Sequence, residues 1–335
     1  MEMKVLFFLG FFYSLVCAFA WGQPPPDRFY SLIPEWNVTI NVTDLIVWVE
    51  NDDLIAGVLR FVPAGTFIQG SPIEEPCRSA ANEVQFTHTL SRSILVMETE
   101  VTQQMWADLK GLQPSLPTDP SDLSVSSGMN HPVQRVTWFE AVLFSNLLSV
   151  ERDLTPTYYK DASFTITLDD SNYLSGEFYC NFDADGYRLP TEGEWEHFAR
   201  GGTEGPFSIF EPNYDGDSCS SCTNGLMPDL ESVSVFCANE TGGTAPAGSK
   251  NANPFGLKDV HGNVWERCWD WHGAYPSSPA SDFTGAESGS VRVERGGGWY
   301  LYSSLTLRSA SRSGNSPGVR ANFFGFRLVR TIPNE

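Results

Sequence analysis

Basic residues are scarce in this chain: 21 Lys and Arg stand against 41 Asp and Glu, for a net charge of −20. So acidic a surface repels phosphate backbones and anionic lipid, which argues against nucleic acid as a partner. Histidine is scarcer still, with five scattered residues and no pair at metal-binding spacing. Beyond the N-terminus no apolar run is long enough to cross a bilayer. No internal repeat and no block of like charge stands out. No cysteine follows Cys268, so the last 67 residues carry no thiol chemistry.

The chain does have an apolar start. Lys4 precedes the run Val5 to Val16, and Ala18-Phe19-Ala20 offers small residues for cleavage. Residues 1–20 therefore predict a secretory signal peptide, with an uncleaved anchor and a lipidated Cys17 as alternatives. Removing them takes out one Glu and one Lys, so the charge stays at −20 and the product is a secreted or periplasmic protein without a membrane span. Residues 21–50, with Pro24-Pro25-Pro26, read as a linker. They include acceptor sequons at Asn37 and Asn41, and Asn239 carries a third. A single domain is expected over 51–332.

Six cysteines remain after the signal: Cys77, Cys180, Cys219, Cys222, Cys237 and Cys268. An even number in an exported chain predicts disulfides and no free thiol, with Cys219 or Cys222 joined to Cys237 across one loop. Cys219-Ser-Ser-Cys222 lacks the second pair a zinc site needs.

Local signals place several elements. Val58 to Gln69 alternates apolar residues around Pro63-Ala64-Gly65, which predicts a hairpin. Helices are predicted from Thr102 to a stop at Gly111, from Thr137 with Glu140 completing a capping box, and from Thr191 with Glu194 doing the same before Gly201-Gly202. Ala141, Phe144, Leu147 and Leu148 form the buried stripe of the second. Residues 111–130 and 203–236 read as long loops, which in compact domains tend to be functional or stapled.

Two stretches invite a hard cation. Asn181, Asp183, Asp185 and Glu192 nearly match a calcium loop, but Pro190 interrupts it and strands, not a helix, precede it. In Asp259-Val-His-Gly-Asn-Val-Trp-Glu266, two carboxylates flank a glycine turn, so a bent backbone can aim carbonyls and side chains at one ion.

The motifs HPVQRVTWFEAVLFSNLLS (131–149), YRLPTEGEWEHFARGG (187–202), NPFGLKDVHGNVWER (253–267), RVERGGGWY (292–300) and GFRLVR (325–330) together resemble the formylglycine-generating enzyme, or sulfatase-modifying factor, family. The resemblance runs over about residues 58 to 331. It implies a single α+β domain of the formylglycine-generating-enzyme type, C-type-lectin-like, with much irregular loop. It also implies a calcium ion held by Asp259, the carbonyls of Gly262 and Val264, and Glu266; a second calcium loop near Asn239 is shortened. The family's copper oxidation uses two cysteines shortly after a Gly-Gly-Ser segment, thiolates suiting Cu(I). Here Gly298 stands at that serine, Phe323 at a family asparagine, and no cysteine follows, so copper is not expected. Two readings stay open. The pocket oxidises a different peptide or metabolite, or it is a non-catalytic module that binds a peptide, glycan or small molecule.

Overall fold

The computed structural model describes residues 55–209, 228–300 and 304–333, within one compact unit, 47–335. The expected signal peptide and linker, and Cys219 and Cys222, lie outside the described residues.

All three helices start where their caps predict. Thr102, Thr137 and Thr191 are extended residues whose hydroxyls accept from the backbone N–H three positions on. The helices run Gln103–Leu112, Trp138–Glu151 and Glu192–Arg200. The first passes through Gly111 instead of stopping there. The third ends on Gly201 at φ 58°, a left-handed cap that glycine adopts at little cost. Trp138–Glu151 is buried around most of its girth, Val142, Leu143, Ser145 and Asn146 included, while Leu147 is only half-buried. Its one amide, Asn146, is fully used: Nδ2 donates to the carbonyls of Tyr158 and Leu168, and Oδ1 accepts from the amides of Thr157 and Tyr158. A buried amide so satisfied fixes the neighbouring loop without a desolvation penalty.

Two four-stranded sheets and one three-stranded sheet carry most of the strands. The first orders Leu59–Val62, Ile94–Met97, Val329–Thr331 and Tyr187–Arg188, all antiparallel. The second orders Arg312–Asn315, Arg292–Arg295, Trp265–Trp271 and Phe324–Gly325, the last pair parallel. The third orders Ala280–Ser281, Phe86–Leu90 and Gly65–Gln69. The predicted hairpin is therefore corrected. Leu59–Val62 pairs with Ile94–Met97 and Gly65–Gln69 with Phe86–Leu90, so Pro63-Ala64 hands the chain from one sheet to another.

The interior is crossed by ion pairs. Arg188, Arg267, Arg295, Arg308 and Arg327 are at most 2% exposed, and each holds a buried glutamate: Glu194, Glu294, Glu196, Glu75 with Glu83, and Glu266 respectively. Six buried glutamates thus serve arginines.

The free-thiol expectation is also corrected. Cys180 and Cys268 are free. Cys268 is wholly enclosed on the central strand Trp265–Trp271 and Cys180 lies at the edge pair with Tyr158, so each is a small apolar residue held in its own place. Cys77 and Cys237 are partnered.

Candidate functional site

The segment from Leu257 to Glu266 crowds three positive-φ residues into five positions. Asp259 and Asn263 sit at φ 59° and 58°, and Gly262 at φ 109°. A Cβ on Gly262 would stand 2.2 Å from the Val235 carbonyl oxygen, so glycine is demanded by position as well as by φ. Gly262 N–H donates to Gly296 O, and Trp265 N–H to Phe323 O, tying the turn to RVERGGGWY and to the residues just before GFRLVR.

The four residues matched to calcium do not share one role. Glu266 is fully buried, its carboxylate accepting from Arg327 Nε at 2.8 and 2.9 Å, from Arg327 Nη2 at 2.6 Å and from Trp195 Nε1 at 2.7 Å. That leaves it little capacity for an ion. Asp259 accepts from Gly248 N–H through one oxygen, while the other has no partner. Against its carboxyl lies that of Glu100, which neither motif nor spacing singles out, fully buried and reached by no N–H or hydroxyl donor. Burial and then Asp259 push the Glu100 pKa well up, and burial raises Asp259 as well. Gly262 and Val264 supply only backbone and apolar side chain at this turn, both buried. No three His, Cys, Asp or Glu side chains converge as a metal cluster among the described residues.

Next to the turn lies the position matched to the family serine. Around Gly298, a Cβ would meet Trp265 Cδ1 at 3.4 Å, Asn263 O at 3.5 Å and Phe323 Cβ at 3.6 Å. Trp299 is buried and its indole N–H donates to Asn322 O. Tyr300 is half-exposed and stacks on Phe323, with centroids 6.5 Å apart and planes at 10°. The atoms nearest that position thus come from two aromatic residues and a backbone carbonyl.

The remaining polar candidates are structural. Asp183 pairs with Arg92, Asp185 accepts from Thr155 N–H and Glu192 is gripped by Arg312, so the near-match to a calcium loop is dispersed. His261 bonds Leu307 O and Ser208, His88 bonds Gln69, His131 bonds Thr244 and His197 bonds Pro63 O. Asn239 spends its side-chain amide on Ser234 O and Phe236 N–H. No helix among the described residues is long and apolar enough to cross a membrane.

The "Sulfatase-modifying factor enzyme 1-like domain" matches residues 54–332. The chain is 31% identical over 207 residues to the chaperone protein LppX of Paenibacillus barcinonensis, covering 60% of this chain and 67% of that protein. It is 30% identical over 235 residues to the formylglycine-generating enzyme of Thermomonospora curvata, covering 67% of this chain and 63% of that enzyme. Among solved structures, Treponema denticola variable protein 1 superposes with a TM-score of 0.67 at 28% identity, over 83% of this chain and 97% of that one. On the strength of these motifs, this fold and a match spanning most of its length, the chain belongs to the sulfatase-modifying factor enzyme 1-like family.

Proposed function

We propose that this chain is an exported, calcium-stabilised member of the family that binds a peptide or glycan at the aromatic wall around Gly298 and does not generate formylglycine. The observation that carries the reading is the wall itself. Tyr300, half-exposed, and Phe323, half-buried, offer flat apolar faces beside backbone polar groups, with the buried ring of Trp265 against Gly298, the usual make-up of a recognition surface. The sequence adds that no thiol follows Cys268, so the soft ligands copper needs are missing where the family places them. Two of the similar proteins carry names outside oxidation, a chaperone and a variable protein.

Calcium belongs to this proposal through three buried oxygens, two on Glu100 and one on Asp259, whose carboxyls face each other and draw no N–H or hydroxyl donor. Glu100, Asp259 and Glu266 against Arg327 leave two negative charges when all are ionised, which one divalent ion balances. Asp259 and Glu100 would supply carboxylate ligands there, and neighbouring carbonyls the rest.

The test pairs two assays on the purified full chain. Copper-supplemented incubation with a sulfatase-type cysteine peptide should leave the cysteine mass unchanged. Titration with peptide and glycan libraries should give saturable binding that Tyr300→Ala and Phe323→Ala weaken. Conversion of the cysteine, or oxygen consumption with a candidate peptide, sinks the binding reading.

A further inference from the structure

Buried arginines in this domain come with carboxylates, and one does not. Arg188, Arg200, Arg267, Arg295, Arg308 and Arg327 each have a glutamate oxygen within 2.9 Å or closer. Arg292, only 3% exposed, has no ion pair among the described residues. Its Nη1 donates to Trp269 O and its Nε has no acceptor. The guanidinium carbon lies 3.5 Å from the ring centroid of Trp271, 4.0 Å from Trp138 and 5.0 Å from Trp269. Ring faces offset part of the cost of burying this charge, but they accept no hydrogen bond in the guanidinium plane.

The acid whose charge acts on it most, Asp270, does not neutralise it. Asp270 is fully buried and accepts from Glu192 N–H at 2.8 Å, with its other oxygen unpartnered. Burial and then the Glu192 charge push its pKa well up, so Asp270 is held towards the neutral form. Burial in turn pulls Arg292 down to about 9, the mark of a cation short of a counter-charge.

Arg292 also borders a cavity of about 130 Å³, lined with it by Trp138, Phe139, Phe178, Trp271 and Pro317, with Ser175 and Gly176 contributing to the wall. Lys160 Nζ sits 3.6 Å from the Phe178 centroid and donates to Ser175 O. In a chain of net charge −20, this cavity has a cation in its wall, another beside it and no carboxylate in its lining. It shares no residue with the wall around Gly298. The two stand at opposite ends of the seven-residue strand Trp265–Trp271, about 20 Å apart at strand rise.

We propose that this cavity is a binding site for a small carboxylate, seated against the Arg292 guanidinium between the faces of Trp138, Phe178 and Trp271. Its volume admits only a short acid, either free or as the acidic side chain of a peptide. The planar guanidinium meets a carboxylate edge to edge, and the rings cover the aliphatic part.

Tryptophan emission of the full chain reports occupancy directly, because Trp138 and Trp271 line the cavity. Sodium propionate should give a saturable change that equal ionic strength of sodium chloride, and isosteric propionamide, do not. Blocked Gly-Glu-Gly peptide in a parallel arm separates the sources. Saturation by peptide as well as propionate assigns an acidic side chain, and saturation by propionate alone a free acid; both support the site. Arg292→Met should abolish the response, but it also unties three rings. Ser175→Trp, at the exposed wall, should close the cavity with Arg292 in place and weaken propionate binding at least tenfold at unchanged melting temperature. A propionamide response equal to that of propionate, full binding by Ser175→Trp, or no response to either acid overturns the proposal.

Discussion

Arg327 reaches Glu266 from 61 residues away and engages both carboxylate oxygens, while its other nitrogen bonds the carbonyls of Met97 and Glu98. The glutamate that the family resemblance gives to calcium is thus the anchor of the final motif, GFRLVR. Trp195 closes the arrangement from the third helix, so one carboxylate joins three of the five motifs.

Removing one side of that pair leaves a fully buried, unpaired charge. Glu266→Ala should therefore cost about 3–5 kcal/mol, with and without calcium present, as read from urea unfolding. A loss under 1 kcal/mol would show that Arg327 finds another partner.

Calcium dependence should follow Asp259 and Glu100 instead. Calcium at about 100 times its dissociation constant adds roughly 2.7 kcal/mol to a native state that alone binds it. Chelation should lower the melting temperature reversibly in the wild type, and Glu100→Gln or Asp259→Asn should remove the effect. A chelator that leaves the wild type unchanged, with no calcium by metal analysis, rules out the ion.

His261 makes acid destabilising. Its burial holds the pKa down to about 4, below the usual imidazole value of about 6.5. Between those two pH values the unfolded chain binds a proton that the folded chain refuses, so stability falls as pH drops through 6.5 and levels off below about 4. That difference corresponds to about 3 kcal/mol. Melting curves from pH 7.5 to 4 should show this slope, and a His261→Gln chain should lose it. A wild-type slope matching the variant's points to carboxylates as the source.

Thiol labelling separates the cysteines. Under native conditions Cys268 should resist modification, since burial raises its pKa well above the usual thiol value. In denaturant without reductant, Cys180 and Cys268 should both label. Joining Cys237 to Cys219 or Cys222, the pairing we propose, would protect those residues and contribute about 3 kcal/mol. Labelling of Cys237 under those conditions discards that pairing.

Much of the fold was legible because its signals are short-range. Thr137 with Glu140 and Thr191 with Glu194 declare their helices within four residues, and Gly262 and Gly201 mark positions where a positive φ is required. The hairpin was misread because alternation in Leu59–Val62 and Gly65–Gln69 reports two strands but not which neighbours they take. Cys268 was miscounted as a staple because parity says nothing about enclosure.

By itself, then, the sequence determined the family, the helix starts, the glycine turns and the lack of late thiols, all properties of adjacent residues. Only the tertiary structure decided which charges meet. Glu266 went to Arg327, Glu100 to Asp259, Arg308 to Glu75 from 233 positions away, and Arg292 to no carboxylate at all. Partners so far apart carry no mark of each other in the chain, because burial and geometry select them only after the sheets have packed.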